Sequence, residues 1–152
     1  MGAKETQPFF DQVQYIRAVL SKRLVDFMGQ SQNQRENYVA EYIAEHEDQN
    51  EKNLRVLLDK PLRVGSNWVR YFPLDKEHDI VRLLEDDSKW QEFSSTIDTT
   101  LKIKSKLIDL FEVCALNYNR DEVKEYFERC AETENEQIKN ISRRLVELDQ
   151  GY

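Results

Sequence analysis

The sequence predicts an all-α protein, an antiparallel four-helix bundle with one long crossover between its second and third helices. Three observations predict it. Glycine and proline number only 4 and 3 among 152 residues, well below their ordinary usage of about 7% and 5%, and both break helices. Four long segments carry apolar residues at steps of three and four, the period of a helix with one buried face. Two of the three connections are a few residues long, which makes antiparallel neighbours, while the third, residues 61–87, is long enough to carry the chain across the bundle.

The first helix is expected over residues 8–29, with Val13, Ile16, Leu20, Leu24 and Phe27 inward, Thr6 as cap, Pro8 in the first turn and Gly29 as the stop. The second is expected over 34–60, with Ser31 and Gln34 at capping-box spacing, a stripe of Val39, Ile43, Leu54 and Leu57, and Pro61 beyond its end. The third is expected over 89–118, opened by a second box, Ser88 and Gln91, with Phe93, Leu107, Phe111 and Cys114 inward. The fourth is expected over 120–149, starting at Asn119 and Glu122, with Val123, Phe127, Ile138, Ile141 and Leu145 inward. Its acidic residues come early and Lys139, Arg143 and Arg144 late, which suits the helix dipole. Within the crossover a short helix is expected over 76–85, capped by Asp75.

Charge and motif content narrow the function by exclusion. The 22 basic and 29 acidic residues leave a net charge of −7, so a nucleic-acid binder with a basic face is not expected. No apolar run reaches the roughly 20 residues that span a bilayer, and no charged n-region with an apolar h-region opens the chain, so a secretory leader is not expected. A soluble cytoplasmic protein is expected. Met1 to Thr6 fits a loose myristoylation pattern that is common by chance. No P-loop, Rossmann glycine pattern, CxxC or HExxH occurs, and two histidines without a motif give no catalytic triad. No catalytic residue is assigned. Cys114 and Cys130 are too few for a disulfide framework and read as reduced thiols on apolar helical faces.

The informative polar residues lie on the inward faces. Glu134 falls in the middle of the fourth stripe, between Phe127, Ile138 and Ile141, where a carboxylate is costly unless paired or bound to metal. Glu47 lies at the edge of the second stripe, with His46 and Asn50 near its centre. Glu47 with Asn50, and Glu134 with Gln137, each have Glu-x-x-His spacing with an amide in place of the imidazole.

These paired Glu-x-x-(Asn/Gln) sites on a four-helix pattern resemble the ferritin-like superfamily over residues 8–149, nearest to rubrerythrin-type proteins. The segment Trp68-Val69-Arg70-Tyr71-Phe72-Pro73 after His46-Glu47 also resembles small bacterial proteins of unassigned function with this fold. The resemblance implies a di-metal core, with a Glu from each of two helices and a Glu-x-x-His from each of the other two. The departures are large. Lys104 takes the third-helix Glu position, and Ser21 or Leu20 the first, with Arg17 one turn earlier on the same side. Protonated lysine is no metal ligand. The expectation is a core polar cluster of Glu47, Asn50, Lys104, Glu134 and Gln137, no cofactor, and a structural or protein-interaction role. The alternative is an iron- or manganese-binding oxidoreductase or metal store built on Glu47, Glu134 and His46. The other features have plainer readings. His78 is expected on an exposed helix face, and the Glu41, Glu45, Glu47, Asp48, Glu51 run, although it looks like a ligand cluster, is expected to form mostly a solvated acidic face. Trp68, Tyr71 and Phe72 form an interaction patch or pack down the crossover, and a homodimer or another protein partner is expected through them.

Overall fold

A computed structural model describes residues 6–59, 74–117 and 121–149, and these are helical almost throughout, with no strand among them. Among the described residues five α-helices follow in order: α1 (Thr6–Gln30), α2 (Gln34–Asp59), α3 (Leu74–Glu85), α4 (Phe93–Leu116) and α5 (Asp121–Asp149). A short 3₁₀ turn, Asp87–Trp90, joins α3 to α4. No helix among the described residues is long and apolar enough to cross a membrane.

The four long helices share one apolar core. Val13, Ile16, Leu20, Leu24 and Phe27 from α1 are buried with Val39 and Ile43 of α2, Ile103, Leu107, Phe111 and Cys114 of α4, and Phe127 and Ile141 of α5. Ile80 and Leu84 of α3 are buried in the same core, with Trp90 beside them. Side-chain contacts fix the helix directions. Lys104 meets Glu134 while Phe111 stacks near Phe127 at 6.4 Å, so α4 and α5 run antiparallel. His46 meets Gln137 while Arg144 lies over Tyr42, so α2 and α5 do the same. Phe27, near the end of α1, packs on Phe93 at the start of α4 with ring centres 6.0 Å apart. Arg23 donates to the Leu84 carbonyl at 2.9 Å, which ties the end of α3 to α1.

Several helix ends differ from the sequence expectation. Asn33, rather than Ser31, caps α2: its Oδ1 accepts from the backbone N–H of Arg35 and of Glu36, both at 3.1 Å. Ser31 supports the cap one step earlier, accepting from the Asn33 N–H. The expected box at Ser88 is a separate 3₁₀ turn capped by Asp86, whose carboxylate accepts from the Ser88 N–H and hydroxyl. The third long helix therefore begins at Phe93 and not at residue 89. The cause is tertiary. Trp90 is buried and its indole N–H donates to the Leu83 carbonyl at 3.0 Å, which turns the chain before α4 can start. Gly29 does not stop α1, which continues through Gln30. Asp75 lies inside α3, which starts at Leu74. The start proposed at Asn119 and the side chains of Leu54, Leu57 and Val123 lie outside the described residues, as do Trp68, Tyr71 and Phe72.

The capping geometry gives a direct test. Asn33→Ala removes the acceptor for two backbone N–H groups and is expected to cost about 1 kcal/mol. Gln34→Ala, at the glutamine of the rejected box, is expected to leave urea unfolding unchanged within error.

Candidate functional site

A closed ionic cluster sits where the four long helices meet, and each helix contributes one charged side chain to it. Lys104 of α4, Glu47 of α2 and Glu134 of α5 are fully buried at 0% exposure, and Arg17 of α1 is 6% exposed. Each lies on or at the edge of the apolar stripe of its helix, so helix packing carries all four inward.

The hydrogen bonds are reciprocal. Lys104 Nζ donates to Glu47 Oε1, to Glu134 Oε2 at 3.0 Å and to Gln137 Oε1 at 2.7 Å. An ammonium group has three protons, so this donor is fully used. Arg17 Nη1 donates to Glu134 Oε1 at 2.6 Å and to Glu47 Oε2 at 3.2 Å. Each carboxylate thus bridges both cations, and all four carboxylate oxygens are taken. Two positive and two negative charges cancel within the core. Such balance is what makes buried charge tolerable, because an uncompensated ion loses its hydration with nothing in return.

A second layer surrounds the four ions. Gln137 offers its oxygen to Lys104, so its amide nitrogen faces His46 Nδ1 at 3.3 Å and donates to it. The His46 ring is half-buried and lies edge-on to Tyr42 with centres 4.4 Å apart. Ser21, one turn after Arg17, donates to Asp48, the neighbour of Glu47, at 3.0 Å.

The electrostatics follow from this geometry. Burial opposes the Lys104 charge, but Glu47 and then Glu134 overcome it and hold the ammonium above its ordinary range. Burial likewise opposes the Glu134 charge, but Lys104 and Arg17 outweigh it and hold the carboxyl below its ordinary range. Arg17 is raised despite its burial by Glu134 and Glu47. Nearby, burial pushes the Cys130 thiol up to about 11 and the Cys114 thiol up to about 12. Both cysteines are free, and both are protonated at neutral pH.

The structure places the sequence-derived residues as follows. Glu47, Lys104, Glu134 and Gln137 meet in one cluster, and His46 joins it through Gln137. Asn50 does not: its buried Nδ2 has no hydrogen-bond partner among the described residues, contrary to the bonding role expected of it. Arg17, not Ser21 or Leu20, is the α1 residue that faces the glutamates. The sequence carried a signal for it, since Arg17 stands four residues after Val13 and three before Leu20 on the buried stripe. That position is as anomalous for a guanidinium as Glu134 is for a carboxylate. His78 is exposed, as are Glu41, Glu45 and Asp48, so the acidic run is a solvated face at those positions, while Glu51's side chain lies outside the described residues. Among the described residues no group of three His, Cys, Asp or Glu side chains gathers at metal-binding distance.

Two measurements check the cluster. Lys104→Met leaves two buried carboxylates facing a single guanidinium and is expected to lower stability by about 3–5 kcal/mol. An unchanged melting temperature would contradict the geometry. The pH profile is the second. Glu134 is lowered from its ordinary 4.5, so its contribution is complete above that pH and is lost as pH falls through the folded value. Lys104 is raised from its ordinary 10.5, so its contribution is complete below that pH and is lost as pH rises through the folded value. Urea unfolding is expected to show a plateau between these limits, with an acid limb that flattens in the Lys104→Met/Glu134→Gln double variant.

The chain matches no protein-family model, no curated protein and no solved structure.

Proposed function

We propose that this chain is a ferritin-like four-helix bundle in which two protein cations stand where a di-metal centre would be, and that it acts through its surface as a structural or protein-interaction module. The observation that carries the reading is the pair of bridging glutamates. Glu47 and Glu134 each span Arg17 and Lys104, as bridging carboxylates would span two metal ions. The antiparallel packing of α5 on both α2 and α4, and the meeting of Phe27 with Phe93, support the ferritin-like connectivity. Since α2 and α4 both run antiparallel to α5, they run parallel to each other, which supports a crossover between them, and α3 falls between them in the sequence.

The residues present do not fit a pair of divalent cations. A metal ion needs free carboxylate or imidazole lone pairs, and here every glutamate oxygen accepts from a cation. Asn50 and Gln137 stand at the positions where imidazoles would complete the set. His46 presents Nδ1 to Gln137 rather than to the glutamates. The reading of an iron or manganese oxidoreductase or store built on Glu47, Glu134 and His46 therefore finds no donor set in this geometry.

Elemental analysis and thermal melts test the proposal. The purified protein is expected to carry neither iron nor manganese in stoichiometric amount. Its melting temperature is expected to stay fixed under millimolar Mn²⁺ or a chelator, since only a ligand of the native state raises it. Lys104→Glu exchanges the ammonium for a carboxylate and is expected to gain a Mn²⁺-dependent rise. Stoichiometric metal held between Glu47 and Glu134 in the natural sequence would overturn the reading.

A further inference from the structure

An open groove of about 630 Å³ is lined by residues of α4 and α5. Its floor is formed by Ile108, Ala115 and Ala131. The two alanines are small and buried, so the floor lies deep between the helices. At one end stands Leu116, 78% exposed and the most exposed large apolar side chain among the described residues. The groove thus joins an apolar floor to an apolar side chain that the fold does not use.

The rim is mostly acidic. Glu112 of α4 and Glu128 and Glu132 of α5 line it, with Lys124 as the basic member. The helix register, set by Lys104 on Glu134 and Phe111 on Phe127, brings Glu112 and Glu128 to about the same level on opposite sides. None of the three glutamates has a cation within ion-pair distance among the described residues, although surface pairs form elsewhere, as between Lys22 and Asp26. Carboxylates that face each other across an apolar trough repel, and a positive partner relieves that repulsion.

We infer that this groove is the docking surface for a basic amphipathic helix of a protein partner, one whose apolar stripe lies on the alanine floor and whose flanking lysines or arginines meet Glu112, Glu128 and Glu132. The segment from Ile108 to Leu116 spans about 12 Å at 1.5 Å per residue, enough for roughly two turns of a docked helix. A helix suits the seam because its backbone polar groups are satisfied internally. An extended peptide would set unpaired N–H and C=O groups against an apolar floor. Small floor residues also allow the close approach that ridge-into-groove packing needs. A second copy docking by the same surface would set glutamate against glutamate in a chain of net charge −7, which argues for a partner of opposite charge.

The inference rests on reading the chain as an interaction module, and its test is independent of the cluster. The probe is a fluorescent 18-residue peptide with leucines at helical spacing flanked by lysines, titrated into the full chain and followed by anisotropy. A permuted peptide of equal composition, without the stripe, is the control. Binding of the striped peptide is expected to weaken with salt, and by at least about tenfold in Glu112→Lys/Glu128→Lys and again in Leu116→Ser. Circular dichroism and melting curves establish that the variants keep the fold. Four results would overturn the inference: no binding, equal binding of the permuted peptide, indifference to the variants, or a self-association in sedimentation that Glu112→Lys/Glu128→Lys abolishes, which would give the groove to a second copy. Any of these with metal content and Lys104→Met behaving as expected removes the groove alone. Stoichiometric metal with peptide binding intact removes the cluster reading alone.

Discussion

The centre of this molecule is a ring of charge in which two glutamates each bridge an arginine and a lysine. Its four members come from four different helices, so the ring sets their relative height as well as their proximity. An apolar core tolerates small slides of one helix past another, because one aliphatic contact replaces another at similar free energy. A buried ion pair does not, because a shift of a few ångströms leaves a charge without its partner. Arg17, Glu47, Lys104 and Glu134 therefore define a single register for the surrounding apolar stripes.

The same ring explains the polar layer around it. Lys104 has a third proton to place once its two carboxylates are served, and Gln137 accepts it. That choice fixes which end of the Gln137 amide faces outward, and the outward nitrogen in turn selects the acceptor face of His46. The His46 ring then rests edge-on against Tyr42, and Tyr42 carries the Arg144 guanidinium on its face at 3.8 Å. A chain of directed contacts thus runs from the buried ions to the surface of α2 and α5. The first links are set by a donor or acceptor left over from the one before, and the last two by ring contacts.

Charge is used differently in the core and at the surface of the α4–α5 hairpin. Inward, Lys104 and Glu134 are matched and desolvated. Outward, Glu112, Glu128 and Glu132 stand beside an apolar floor without basic partners among the described residues. An internally neutral core needs no ion from solution, whereas an unbalanced acidic groove gains from a positive partner. On the proposed reading, the core holds the shape and the surface meets the partner.

Much of this was legible in the sequence. The scarcity of breakers and the three-and-four periodicity gave the long helices to within a few residues at most ends, because those signals are local and depend only on residues one turn apart. Glu134 and Lys104 stood out because a charge in an apolar stripe demands a partner wherever the stripe packs. What periodicity could not decide was which charges would meet. Arg17 and Ser21 lie one turn apart on the same side of α1, and only the height of α1 against the other helices made the guanidinium the partner and the hydroxyl a contact of Asp48. The start of α4 was settled the same way, since Trp90 turns the chain by reaching Leu83 on another helix. Local composition determined which faces are buried, and tertiary packing determined their register, because the free energy of pairing two buried charges exists only once the helices that carry them have met.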